Sequence, residues 1–245
     1  MNAPTLSLIT ITKDDPSGLA RTLASTAPWR GLPWVEQLVV DASAVPAQVD
    51  DSRIHVIRQL STGISGAFNT GWRAATGEWI WFLNGGDCAD ERLTTEFLRQ
   101  LLRQSRADVV IGGLTYEGRA EPHPHLPTGM QWPPLHSWIP HPSTLVRRRL
   151  FEQFGPFDGR YSIAMDYEWW LRTLSTQVVV DVLSAPFAVF APGGVSQRPE
   201  LQRKIAQERA DGIRRHQVSL WRAWFSSGYR LVRVWLAAWF ARRLK

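Results

Sequence analysis

Gly77-Glu78-Trp79-Ile80-Trp81-Phe82-Leu83-Asn84-Gly85-Gly86-Asp87 reads as a buried strand running into an acidic loop. Trp79 to Leu83 is an unbroken apolar run of strand length, bounded by Gly77 before it and Gly85-Gly86 after it. A run without polar alternation suits a strand covered on both faces, as in α/β sheets. Open α/β sheets bind ligands outside the carboxyl ends of their strands. Asn84 and Asp87 stand at such an end. Two glycines there let the backbone approach a ligand, and an oxygen ligand there can bridge a divalent cation to a phosphate. Taken alone, the same residues also fit a turn with a solvated Asn and Asp.

Working outward from this stretch, Leu6 to Thr12 is a β-branched run and is expected to form a first strand. Ser17 is expected to cap a helix carrying Leu19 and Leu23. Val35 to Val40 and Arg53 to Arg58 read as further strands. Ser65 is expected to cap a helix through Ala75, closed by Gly77. This alternation predicts an α/β fold, with a single mostly parallel central sheet flanked by helices. The loops at Asp14, Asp41, Gly63 and Asp87 are then expected to meet on one sheet edge. No G-x-G-x-x-G turn follows the first strand, which argues against a nicotinamide or flavin site.

Downstream, Thr94 to Ser105 reads as a helix and Asp108 to Gly112 as a strand. Tyr116 to Pro142 holds seven prolines and four histidines, and regular structure is not expected there. Its histidines have no compact zinc-ligand spacing. Leu150 to Phe154 reads as a short helix, and Asp166 stands at the start of another, using Trp169, Trp170 and Leu174 as its apolar face. Val178 to Val182 and Phe187 to Phe190 are expected to close the sheet as two strands.

The chain has 245 residues and 44% apolar content, enough for one large domain or a domain with an appendage. Cys88 is the only cysteine, which rules out an intrachain disulfide and fits a reducing compartment. The first residues show no secretory signal pattern, and no apolar stretch reaches the roughly 18 residues of a spanning helix. The net charge of +6 is unevenly spread: residues 201–245 hold 11 Lys/Arg against 2 Asp/Glu, so the preceding 200 residues hold 17 against 20. Such asymmetry points to an anionic partner for the C-terminal segment.

In their order, these elements resemble the family 2 inverting glycosyltransferases, of GT-A fold, in the branch found in bacterial exopolysaccharide, O-antigen and colanic-acid synthesis. The resemblance spans roughly residues 5–200. It rests on Leu6–Thr12 with Gly18–Leu23, Val39-Val40-Asp41-Ala42-Ser43, Gly63-Ile64 through Ala67-Phe68-Asn69-Thr70-Gly71, Phe82–Asp87, His141-Pro142-Ser143, Ala164-Met165-Asp166-Tyr167-Glu168 and Gly193–Ser196. It implies transfer of a sugar from a nucleotide-diphosphate sugar to a saccharide or lipid-linked saccharide. The donor is then expected to meet Thr12, Asp14, Asp41, Gly63, Asn69, Asn84 and Asp87. Asp87 is the expected ligand of Mg²⁺ or Mn²⁺, Asp166 the general base, and His141 a contact to phosphate or acceptor. Two residues keep plainer readings: Asp166 also suits a helix start, and His141 also suits a structural role. Compared with many relatives, the metal loop is thinned to one carboxylate, Ser65-Gly66 replaces Tyr-Asp, and Ala-Ser-Ala follows Asp41.

Two other function classes compete. A sugar nucleotidyltransferase would be expected to carry a basic Gly-rich loop after the first strand, where Thr12-Lys13-Asp14-Asp15 stands. An inactive membrane-attached assembly partner would fit the thinned acidic loop. The expected organisation is a catalytic domain over residues 1–198 and a basic, Trp-rich helical tail over 199–245. On a helical projection Arg222, Ser226, Arg230 and Arg233 oppose a face of Trp221, Trp224, Phe225, Leu231, Val232, Trp235 and Trp239. A helix of this kind lies in a membrane interface, and its arginines suit anionic lipid. The alternative is a helix packed on the domain or on a partner. Nucleic acid is not expected as a partner, because the aromatics gather on one apolar face. The expected location is cytoplasmic, peripheral at the inner face of the cell membrane.

Overall fold

A computed structural model of the chain describes residues 5–117, 139–174 and 178–216. One eight-stranded sheet organises them: β1 (Leu6–Thr12), β2 (Val35–Asp41), β3 (Ile54–Arg58), β4 (Trp79–Phe82), β5 (Cys88–Ala89), β6 (Val109–Tyr116), β7 (Thr144–Arg147) and β8 (Val180–Phe190). The strand order is β3-β2-β1-β4-β7-β6-β8-β5. Parallel pairing joins β3, β2, β1 and β4, and also β6 and β8, while β7 runs antiparallel to both its neighbours. Six helices flank the sheet: α1 (Pro16–Ser25), α2 (Gly63–Ala74), α3 (Thr95–Gln104), α4 (Arg148–Phe154), α5 (Met165–Leu174) and α6 (Gln202–Arg215).

The apolar run behaves as a strand covered on both sides. Trp79 to Leu83 are all at most 2% exposed. Ile80 and Phe82 enter one core with Phe68, Phe151 and Trp169; Trp79, Trp81 and Leu83 enter the other with Leu98, Leu102 and Phe187. Alternate side chains thus feed opposite cores, each large apolar group contributing about 1.5–3 kcal/mol on burial. Both indoles of the strand are satisfied, Trp79 Nε1 donating to Leu102 O and Trp81 Nε1 to Pro142 O.

Several local expectations need correction. Asp15, not Ser17, caps α1: its carboxylate accepts from Gly18 N at 2.8 Å, and the Ser17 hydroxyl also donates to it. Helix α2 starts at Gly63, and its N-cap is Thr62, three residues before Ser65. Gly77 is no helix cap; a Cβ there would lie 2.6 Å from Ser7 N, so close strand approach requires the glycine. The two expected closing strands are one strand, β8, which bends at irregularities opposite Gly112 and Gly113 of β6. Pro186 sits in the bend, where a strand tolerates a missing donor. The Phe187 ring fills the space a Gly112 side chain would occupy.

Helix α6 packs on α5. Its Ile213 joins Ala164, Tyr167 and Leu171 in a small core, and Gly212 passes close to Leu171. Residues 217–245, which carry the amphipathic face read from the sequence, lie outside the described residues, as do His123, His125 and His136. Among the described residues no helix is long and apolar enough to cross a membrane.

Candidate active site

A cleft of about 1660 Å³ opens at the carboxyl ends of β1 to β4. Thr12, Asp41, Gly63, Asn84, Asp87, His141 and Asp166 all line it. The parallel register explains the convergence: Thr12 pairs with Asp41, and Asp41 with Arg58, at the ends of three adjacent strands. Two expected residues do not line the cleft. Asn69 is spent on structure: its amide donates to Phe157 O at 2.8 Å and accepts from Phe157 N at 2.9 Å. Asp14 ties two loops together, accepting from Ala44 N at 2.8 Å while its own N–H donates to Ser43 Oγ. Its backbone φ of 51° is one that Asp tolerates better than most residues.

Asp41, Asp87 and Asp166, three of the four aspartates lining the cleft, differ in their surroundings. Asp41 is fully buried and accepts from Ser43 N, Ala47 N and Arg58. Burial works to raise its pKa, but these donors outweigh it and hold the carboxyl below the usual range. Asp87 is 4% exposed, and burial pushes its pKa up to about 6. The Ala191 N–H at 2.9 Å, the Asn84 side chain and the Arg21 charge offset that only in part. Burial also raises Asp166, against the Tyr167 N–H at 2.7 Å and the nearby charge of Arg209.

The loop carrying Asp87 is held from behind. Gly86 adopts φ +101°, a conformation that favours glycine, and its N–H donates to Gly18 O and Thr22 Oγ1. The Thr22 hydroxyl in turn donates to Asp87 O at 2.7 Å. Helix α1 therefore pins the loop, a role that Thr22 does not announce in the sequence.

The fit of a divalent cation rests on two observations. Asn84 Oδ1 is buried with no hydrogen-bond partner among the described residues, beside the under-compensated Asp87 carboxylate. Hard cations take such oxygen ligands. Among the described residues no group of three His, Cys, Asp or Glu side chains gathers to hold a metal. Asn84 and Asp87 are the oxygen donors that would hold such a cation.

Elsewhere in the cleft, the His141 ring stacks on Phe82 (centroids 5.2 Å apart) and contacts Phe68 at 4.8 Å and Phe157 at 6.0 Å. Its Nε2 is buried without a partner among the described residues, and burial lowers its pKa to about 4. His141 is thus a neutral hydrogen-bonding group at neutral pH rather than a cation for phosphate. Arg209 of α6 also lines the cleft, its guanidinium 5.5 Å from the Tyr167 ring. Neither it nor Arg58 stood out in the sequence. The strand register offers a signal for Arg58, since it pairs with Asp41. Arg209 has no such local signal, because only tertiary packing brings α6 to α5.

Residues 7–167 match the sequence family described as Glycosyl transferase family 2. The match covers more than half the chain, and the protein belongs to that family. No curated protein matches the chain. Among solved structures, it is similar to S. aureus TarS residues 1–349 in complex with UDP, with TM-score 0.60 and 17% identity over 85% of this chain and 65% of that one. The same TarS fragment in complex with UDP-GlcNAc gives TM-score 0.61 and 17% identity, over 90% of this chain and 72% of that one. A further structure of S. aureus TarS gives TM-score 0.60 and 19% identity, and this chain spans 44% of it. These likenesses show a shared fold, the GT-A type: one mostly parallel sheet flanked by helices.

Proposed function

We propose that the protein is an inverting glycosyltransferase, taking a sugar from a nucleotide-diphosphate sugar and placing it on a hydroxyl of a saccharide acceptor. The observation that carries this reading is the pair of carboxylates raised by burial, Asp87 and Asp166, lining one cleft at the strand ends. Family membership and the TarS structures holding UDP and UDP-GlcNAc support a nucleotide-sugar donor.

In this mechanism the acceptor oxygen attacks the anomeric carbon. The bond from that carbon to the phosphate oxygen breaks, and its electron pair leaves with the nucleoside diphosphate. The hydroxyl proton passes to the Asp166 carboxylate, whose elevated pKa makes it a stronger base. Single displacement inverts the anomeric centre. Asp87 and Asn84 Oδ1 would hold Mg²⁺ or Mn²⁺, which neutralises charge on the leaving diphosphate when bound. Helix α2 opens onto the cleft at Gly63 without a side-chain cap at Thr62, which suits a phosphate. His141 offers a neutral hydrogen bond to donor or acceptor. Asp41, fixed by Arg58 and two N–H groups, shapes the nucleoside end.

The acceptor we propose is a saccharide or lipid-linked saccharide of bacterial surface polysaccharide synthesis, met at the inner face of the cell membrane. The charge balance of residues 201–245 and the Trp-rich face within them support this location. If truncation at Val218 leaves vesicle cosedimentation unchanged, the membrane contact is wrong.

The donor reading is tested by thermal shift with UDP, GDP and CMP sugars, each with and without Mn²⁺. Ligands of the native state raise Tm. The expected result is metal-dependent stabilisation by one nucleotide class, lost in Asp87→Ala. Absence of a shift with every donor would turn the assignment toward a non-catalytic assembly partner.

A further inference from the structure

Carboxylates bind α6 to the loop ahead of α5. Glu208 accepts from Ser162 N at 3.0 Å, Ser162 Oγ at 2.7 Å, Ile163 N at 3.0 Å and Ala164 N at 2.8 Å. One turn further along α6, Asp211 accepts from the Tyr161 hydroxyl at 2.8 Å. These are the two acidic residues of the strongly basic segment 201–245; Glu208 binds residues 162–164, and Asp211 binds Tyr161 while also pairing with Arg215 and Arg214 of its own helix.

The clamp lies beside the proposed base. Ala164 directly precedes α5, and its carbonyl accepts from Glu168 N, so it occupies the N-cap position. Alanine has no side-chain oxygen to fix a helix start. Glu208 supplies a carboxylate at that place from another helix, two residues before Asp166. Burial opposes the Glu208 charge, but its hydrogen bonds outweigh it and hold the carboxyl below the usual range, so it is ionised at neutral pH.

Resting on the glycosyl-transfer reading above, we infer that Glu208 is a positioning residue for Asp166, fixing the start of α5 and thereby the direction of the base carboxylate. It does not need to touch substrate to do so. Its removal is expected to affect the transfer step and spare donor binding, because the donor contacts proposed here lie on the strand-end side of the cleft.

The test uses the full chain with the donor found by thermal shift, comparing wild type, Glu208→Ala, Glu208→Gln and Asp166→Asn. Amide hydrogen exchange, donor Kd, and kcat and KM for transfer are measured on each. Glu208→Ala is expected to lose at least tenfold protection at the amides of residues 162–164. Its kcat should fall at least 20-fold, with donor Kd and KM within twofold of wild type. Glu208→Gln, which keeps an acceptor oxygen but no charge, should fall between Glu208→Ala and wild type. If Glu208→Ala does not fold, the isosteric Glu208→Gln carries the reading, with at least a fivefold loss in kcat expected at unchanged donor Kd. The inference is overturned if kcat stays within threefold of wild type in the folded variants, or if donor affinity falls in step with kcat. Full activity in Asp166→Asn would instead remove the base assignment, and this inference with it. An inactive Asp166→Asn beside a fully active Glu208→Ala would remove the positioning role alone.

Discussion

The two walls of the cleft are built on different principles. The strand-end wall gathers Thr12, Asp41 and Asp87 within 90 residues of one another: sheet register aligns Thr12 with Asp41, and the loop after β4, pinned by α1, carries Asp87 beside them. The helical wall joins Asp166 of α5 to Arg209 of α6 across more than 40 residues, through a carboxylate clamp and a small apolar core. The contrast extends to the carboxylates. Asp41 is held low by its many donors, whereas Asp87 and Asp166 have fewer and are raised by burial. Burial alone therefore does not mark a reactive group. The useful sign is burial with too few protein donors, which leaves a charge for a cation or a proton to meet.

The largest expected effect separates the walls by rate. Asp166→Asn is expected to lower kcat about a thousandfold, within the usual range for loss of a general base, while its donor-induced thermal shift stays like wild type. A fall of less than about tenfold would move the base elsewhere on the helical wall.

A stability measurement comes next. Asn69 was expected on the donor side, yet it satisfies both backbone groups of the buried Phe157. Asn69→Ala should cost about 3 kcal/mol in urea unfolding, because a buried N–H and C=O lose their partners together. A cost below about 1 kcal/mol would return Asn69 to the list of donor contacts.

Asp87 should give a smaller effect of opposite sign. Its folded-state pKa of about 6 lies above that of an unfolded aspartate, so between those values the folded state binds more protons. The group therefore lowers stability as pH rises through this interval. At pH 7.5 without metal, Asp87→Asn is expected to be more stable than wild type by about 1–3 kcal/mol, the gain vanishing near pH 4. Equal stability at both pH values would mean that the carboxylate is already well compensated. His141 runs the other way: its pKa near 4 lies below the unfolded value, so its contribution is present above about pH 6.5. It is lost as pH falls toward 4, and His141→Phe should show a shallower acid decline in Tm.

The same contrast explains what was legible in the sequence. Trp79–Leu83 announces a doubly covered strand because every residue is apolar, and each proves buried. Asp41, Asn84 and Asp87 follow from strand ends, which pattern alone can locate. Ser17 and Ser65 are not the caps because several polar residues compete for each helix start, and only backbone geometry chooses among them. Gly77 resembled a helix stop but serves a close approach to Ser7. The role of Asn69 depends on Phe157, 88 residues away. Helix α6 carries no sequence mark of the site, because the charge of the surrounding segment dominates its pattern. Glu208 looks solvated until α5 is placed against it.

The most direct test of the two-wall account is calorimetric titration of the matching nucleotide sugar, with Mn²⁺, into Asp87→Asn and Asp166→Asn side by side. The account predicts that Asp87→Asn loses metal-dependent binding by at least 30-fold, while Asp166→Asn, slowed about a thousandfold in transfer, binds within twofold of wild type. Equal losses of binding in both variants, or full metal-dependent binding in Asp87→Asn, would contradict it.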